Sequence, residues 1–277
     1  MKRRHFLSSI FAVLGVAAVA LALWQLREAR SDVSTRALDI GHIPATVFTL
    51  ADGQRGPAIV IAHGFAGSRQ LMHSFAIALA RNGYTAVAFD FAGHGRNPEP
   101  LTGNITREDG ATRTLVAETL QVVQAARELG DGRVGLLGHS MASDIVVRAA
   151  QQQPDVPATV AVSMFSPAVT AQTPRNLLVV VGDWEGMLKE EALRAVSLSA
   201  PDRKASAGIT YGRFEDGSAR RTAFVPSAEH VSVLFRTPGL EESVAWFDQA
   251  FAMTRTQPIV IPSRGGWIAL LFTGIAL

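Results

Sequence analysis

The chain has 277 residues, 48% of them hydrophobic, with a formal net charge of +2, seven histidines and no cysteine. The missing cysteines exclude structural disulfides and thiolate metal sites, and the basic residues are scattered rather than clustered among aromatics, so nucleic-acid binding has little support. The length suits one large α/β domain or two small ones.

At the N-terminus, Phe6 through Leu26 carries no charge and follows Lys2, Arg3 and Arg4. At about 1.5 Å per residue this stretch reaches roughly 30 Å, the thickness of a bilayer core. The apolar region of a cleavable secretory signal is shorter, roughly 7–15 residues, so an uncleaved anchor is expected, with Ala18, Ala20 and Ala22 leaving cleavage open. The positive-inside rule places the first residues in the cytoplasm and the main domain outside, although Arg27, Arg30 and Arg36 weigh against it from the other flank. Residues 1–36 are thus expected to be anchor and linker, with 27–36 as the charged linker.

The globular part is expected over 37–254. Residues 37–50 read as one or two strands, and Pro57 to Ala62 is a short apolar run typical of a buried strand. A helix over 69–81 stops at Asn82-Gly83, and Thr85 to Phe89 is a second buried strand. A long helix over 111–129 places Leu115, Val116, Leu120, Val123 and Ala126 on one stripe and ends at Gly130. Val134–Leu137 is a strand and 141–152 a helix; Ala158–Phe165 and Leu177–Val181 are further strands, and 187–197 a helix. Tyr211 to Val225 suggests a hairpin around Asp216-Gly217, and Leu240 to Met253 a last amphipathic helix. Residues 255–277 combine a linker with a second apolar segment. Gly266 through Leu277 reads either as the start of a further membrane helix cut short or as a segment packed on the domain or lying in the interface.

Strands alternating with helices imply a mostly parallel sheet flanked by helices, and ligands in such sheets bind at the carboxyl ends of the strands. Those ends carry His63-Gly64-Phe65, then Asp90 with Gly93-His94-Gly95, then Ser140, then Asp183 and Glu185. Ser140 stands in Gly138-His139-Ser140-Met141-Ala142, between an apolar strand and a helix. This is the setting of a nucleophile elbow, with Ala142 where glycine is usual; a helix N-cap serine is the plainer alternative.

The series His63-Gly64-Phe65, Asn82-Gly83-Tyr84, Asp90-Phe91-Ala92-Gly93-His94-Gly95 and Gly138-His139-Ser140-Met141-Ala142 resembles the α/β-hydrolase superfamily. It is closest in pattern to serine hydrolases related to monoacylglycerol lipases and serine aminopeptidases. The resemblance covers about 37–253 and implies an α/β-hydrolase fold with Ser140 as nucleophile and His230, the only histidine after it, as base. It implies Glu185 as the acid, with Asp183 as competitor, and the backbone N–H groups of Phe65 and Met141 as oxyanion hole. His63, His94 and His139 are expected to hydrogen-bond loop backbone and Asp90 to stabilise a turn; His5, His42 and His73 carry no signal. Asn97 stands where relatives often have serine.

Relatives with a cap insert it between the strands ending near Phe165 and starting at Leu177, where this chain has little room. The resemblance therefore implies an open site, which argues against a substrate whose acyl chain must be enclosed. The extra length between Glu185 and His230, the hairpin included, is expected to border the pocket. The function expected is a membrane-anchored serine hydrolase of an ester or thioester, with an amide as a further candidate, acting on a small-molecule acyl substrate with no metal or organic cofactor. A non-catalytic binding or membrane-assembly module on the same scaffold, and an acyltransferase, are the alternatives.

Overall fold

The computed structural model describes residues 2–104, 108–200, 202 and 204–277. Strands β1 (Val33–Ile40), β2 (Ile43–Leu50), β3 (Ala58–Ala62), β4 (Thr85–Phe89), β5 (Val134–His139), β6 (Thr159–Val162), β7 (Leu177–Gly182) and β8 (Arg220–Val225) form one sheet. Its order is β1-β2-β4-β3-β5-β6-β7-β8. β1 and β2 pair antiparallel, as do β2 and β4, and every other pairing is parallel. The helices are α1 (Lys2–Glu28), α2 (His73–Arg81), α3 (Arg113–Leu129), α4 (Met141–Gln151), α5 (Gly186–Ser197), α6 (Thr237–Ala250) and α7 (Gly265–Ala276).

The central strands are buried along their whole length, which is why they read as continuous apolar runs. Their side chains alternate between two cores. Ile59 and Ile61 of β3 join Phe75 and Leu79 of α2 and Phe247 of α6 on one face. Ala58, Val60 and Ala62 join Leu115 and Val122 of α3 and Val146 of α4 on the other. Val179 and Val181 of β7 extend that second face over Ala192 and Ala195 of α5. With both faces covered, the carboxyl ends of the parallel strands are left as the functional edge.

Several element boundaries differ from the sequence expectation. The stretch read as a linker over 27–36 is the last turn of α1 and the start of β1, where Val33 already pairs with Leu50. The hairpin expected over Tyr211 to Val225 is absent: Gly212 and Gly217 both take positive φ and break its first arm, leaving a single bridge from Tyr211 to Arg220, while β8 pairs in parallel with β7. The strand expected to run to Phe165 stops at Val162, because Ser163 turns to φ +52°. The C-terminal apolar segment forms α7 and packs on α1. Residues Ser9–Glu28 of α1 are long and apolar enough to cross a membrane, and little of that stretch is buried.

Candidate active site

Ser140 sits between β5 and α4 with φ 54° and ψ −120°. This left-handed conformation strains a non-glycine residue, and it lifts the side chain off the sheet at the strand end. Ser140 N–H is tied to the Val162 carbonyl of the neighbouring strand at 2.9 Å, which fixes the turn. The turn also needs close backbone approach: a Cβ on Gly138 would lie 2.4 Å from the Ala142 carbonyl oxygen. Ala142 is fully buried, so the methyl at the position where glycine is usual finds room.

The structure brings Ser140, His230 and Glu185 together. His230 Nε2 is 2.8 Å from Ser140 Oγ, and His230 Nδ1 is 2.6 Å from Glu185 Oε1. Each comes from a different strand end: Ser140 after β5, Glu185 after β7, His230 after β8. Since the carboxylate accepts from Nδ1, Nε2 of the neutral ring is the nitrogen left to accept from the serine hydroxyl. The hydrogen bond that His230 donates to Glu185 raises the His230 pKa above its ordinary value, against burial, which lowers it. Burial alone would raise the Glu185 carboxyl, but hydrogen bonds from His230, Ser163 and the Gly182 N–H outweigh it and hold it below its usual range.

Asp183, the competing acid, faces away into an ion pair with Lys189 at 3.1 Å, with half its side chain exposed. Gly64 backs directly onto the serine, since a Cβ there would lie 2.9 Å from Ser140 Cβ. This places the chain at Phe65 beside the elbow. Met141 is the first residue of α4, so its N–H is one of the helix donors without an intrahelical acceptor.

The other motif histidines each meet a backbone carbonyl. His63 Nδ1 reaches Gly64 O at 2.8 Å, His94 Nδ1 reaches Ala92 O at 2.9 Å, and His139 Nε2 donates to the carbonyl of His230 itself at 2.8 Å. Asp90 accepts from the N–H of Arg69 at 2.7 Å and of Arg96 at 2.9 Å, and forms an ion pair with the Arg69 guanidinium. Among the described residues no cluster of three or more His, Asp or Glu could hold a metal ion.

Two contributors escaped the sequence reading. Ser163 donates from Oγ to Glu185 Oε2 at 2.8 Å. Glu118, buried on α3, accepts from Ala92 N–H at 2.9 Å and from the Asn97 amide at 3.1 Å, and lies 3.2 Å from His42 Nε2. It braces the Gly93-His94-Gly95 loop from below. A serine in a loop and a glutamate within a helix carry no distinguishing pattern, so only the folded proximity identifies them.

Ser140 and His230 open into a cavity of about 440 Å³, lined by Leu115, Ile145, Phe165 and Leu188 with Asp144 and Arg148 at its polar side. Residues 163–176, between β6 and β7, form turns without a helix, and their Phe165 and Pro167 line the cavity. Of the length between Glu185 and His230, Leu188 of α5 lines this cavity, whereas none of the described residues between α5 and β8, the expected hairpin region included, does. Thr210 and Phe214 of that region line a separate groove of about 570 Å³ over α6, where Arg221 is engaged by Glu242. Around the strand ends Phe65, Phe165, Trp184 and Met187 are each at least 60% exposed.

A family profile described as the alpha/beta hydrolase fold matches residues 57–209, more than half of the chain. An sn-1-specific diacylglycerol lipase of Danio rerio is 28% identical over 166 residues, 60% of this chain and 48% of that protein. A 2-(acetamidomethylene)succinate hydrolase of Mesorhizobium japonicum is 28% identical over 50% of this chain and 45% of that protein. An uncharacterised Mycobacterium tuberculosis protein is 26% identical over 44% and 42% respectively. The chain thus spans less than half the length of these curated relatives. Among solved structures, a CIB-like hydrolase of Thermoplasma acidophilum superposes with a TM-score of 0.56 at 16% identity, covering 78% of this chain and 97% of that one. A dienelactone hydrolase of Anabaena variabilis gives 0.53 at 17%, with the same coverage. These structural likenesses speak to the fold, and together with the profile they establish that this chain belongs to the α/β-hydrolase family.

Proposed function

We propose that this α/β hydrolase is a membrane-anchored serine hydrolase that cleaves an ester or thioester through an acyl-enzyme on Ser140, with an amide as a further candidate. The observation that carries the reading is the unbroken relay from Ser140 Oγ to His230 Nε2 and from His230 Nδ1 to Glu185 Oε1, at 2.8 and 2.6 Å. A serine hydroxyl is a weak nucleophile until a base removes its proton. In this reading His230 takes that proton as the oxygen bonds to the acyl carbon, then returns it to the leaving alkoxide or thiolate. Water attacks the acyl-serine by the same route and releases the acid. Glu185 holds the imidazole tautomer and stabilises the imidazolium formed in both halves.

Developing negative charge on the carbonyl oxygen would meet the Met141 N–H at the α4 N-terminus and the Phe65 N–H. No metal or organic cofactor is needed for these steps. The cavity of about 440 Å³, with Leu115, Ile145, Phe165 and Leu188 on its walls, suits a small acyl substrate. The membrane part of the reading rests on Ser9–Glu28, with its apolar surface left bare by the domain.

The test is Ser140→Ala. It is expected to lower turnover of a short p-nitrophenyl ester on the order of 10⁶-fold and to abolish labelling by a fluorophosphonate probe. Labelling that persists in the folded variant would refute the assignment. Product analysis with competing alcohols separates hydrolysis from acyl transfer.

A further inference from the structure

We infer that α7 enters the same lipid bilayer as α1, the two forming one antiparallel membrane-embedded pair. This rests on the anchored reading above and adds to it a second inserted helix and the contact that joins the two. α7 carries no charge over its twelve residues and leaves Phe272 and Ile275 each about two-thirds exposed. Apolar surface of this kind is costly in water and is at home in hydrocarbon.

The pairing is built from backbone contact. A Cβ on Gly15 would lie 2.7 Å from the Gly274 carbonyl oxygen, and one on Gly274 would lie 2.9 Å from the Gly15 oxygen and 3.0 Å from Ala18 Cβ. Only a residue without a side chain at both positions lets the helices approach this closely, the device that joins helices where lipid offers no hydrophobic drive. α7 would lose this face of its packing if α1 were removed, which favours α1 as a retained anchor over a cleaved leader.

Both helices carry the same interfacial marks at their domain ends. α1 has Trp24 just inside Arg27, and α7 has Trp267 just inside Arg264. Tryptophan and arginine settle at the headgroup level, the ring in the apolar boundary and the charge outside it. From Trp24 to Gly15 α1 descends roughly 13 Å, and from Trp267 to Gly274 α7 descends roughly 10 Å, at 1.5 Å per residue. The Gly15–Gly274 crossing then falls near the middle of a core about 30 Å thick. At its domain end α7 is held against the segment that follows His230: a Cβ on Gly265 would lie 3.1 Å from the Phe235 carbonyl oxygen.

The chain has no native cysteine, so introduced thiols report without background. Full-length protein is reconstituted into phosphatidylcholine vesicles as Val16→Cys, Phe272→Cys and, as a control on the exposed domain surface, Gln151→Cys, and treated with a membrane-impermeant maleimide. The control is expected to label, and the two helix positions to stay unlabelled until the sample is dissolved in SDS. The double variant Ala12→Cys with Leu277→Cys, which line one cleft beside the Gly15–Gly274 contact and leave both glycines in place, is expected to form an oxidant-induced disulfide within one chain, read as a joined peptide by mass spectrometry. If Val16→Cys is protected but Phe272→Cys labels like the control, the anchor stands and α7 lies outside the bilayer, which overturns the inference. If Val16→Cys also labels, the anchored reading itself fails. A disulfide found only between chains assigns the Gly274 face to a second copy and likewise overturns the pairing.

Discussion

Glu185 divides its carboxylate between two tasks. Oε1 takes the His230 ring at 2.6 Å, while Oε2 accepts from Ser163 Oγ at 2.8 Å and from Gly182 N–H at 2.7 Å. Replacing the carboxylate by an amide removes the charge that favours imidazolium and puts an amide donor within reach of the ring. Glu185→Gln is expected to lower kcat/KM roughly 10⁴-fold, and Asp183→Asn to leave it nearly unchanged. In the parent the raised His230 pKa puts the acid limb of kcat/KM above pH 6.5, since the base is lost as pH falls through that value. Residual activity of Glu185→Gln is expected to show the limb moved to lower pH. Equal activity of the two variants would leave Glu185 without a special role. Ser163 offers a finer test, because its φ of +52° suits glycine. Ser163→Gly removes the hydroxyl and relieves the backbone together, so kcat is expected to fall about 10- to 100-fold, the worth of a hydrogen bond to a charged group, while Tm holds or rises. Ser163→Ala is expected to lose the same activity without the gain in Tm. A variant that loses stability in step with activity would make the serine merely structural.

Periodicity and strand-end motifs made most elements legible in the sequence, for physical reasons that also explain the failures. β3, β5 and β7 read clearly because a strand covered on both faces needs no polar alternation. Ser140 stood out at a strand end in its motif, and the family resemblance, with its serine, acid, histidine order, pointed to Glu185 and His230; the strand order brings the carboxyl ends of β5, β7 and β8 to one edge. The start of β1 was hidden because an edge strand is exposed nearly throughout and its charged residues look like a linker. In α3 the expected stripe captured Leu115, Val116, Val123 and Ala126 but passed over Glu118, which is 2% exposed. A buried carboxylate is unreadable in sequence, since its cost is offset only by partners remote along the chain: Ala92, Asn97 and His42. Glu118→Ala would strand the Ala92 N–H and the Asn97 amide, and is expected to destabilise the fold by about 2–4 kcal/mol. Glu118→Gln, which keeps one acceptor, is expected to cost roughly half as much. Urea unfolding of the two variants measures both, and an unchanged midpoint for Glu118→Ala would mean that α3 does not brace the loop.

Across the whole molecule, the two cores bury more than aliphatic side chains: they hold neutral histidines. His63, His73 and His139 all have pKa values lowered from 6.5 to about 4, with burial as the largest cause in each. Their partners agree with neutral rings. His63 accepts the Phe91 N–H on Nε2 at 3.2 Å while Nδ1 meets the Gly64 carbonyl, so a second ring proton would face a donor. His73 lies edge-on to Phe48, with Arg264, Arg69 and Arg30 adding positive charge nearby. When the chain unfolds these rings return to an ordinary pKa, so below pH 6.5 the unfolded state binds protons that the folded state refuses. Their contribution to stability is complete above pH 6.5 and is lost as pH falls toward about 4. His230 acts in the opposite sense, because its raised pKa stabilises the fold at low pH and the benefit fades as pH rises through that value. Glu185 and Glu229, held below the usual carboxylate value of 4.5, stay ionised in the fold until lower pH and add no loss between pH 6.5 and 4.5. Three lowered rings, two of them buried and one half-buried, against one raised and half-exposed ring fix the sign. Unfolding free energy from urea titrations is expected to decline steadily from pH 7 to pH 4.5, before most carboxylates protonate. A profile that is flat or rises over that interval would mean that the rings are already charged in the folded protein, or that water reaches them.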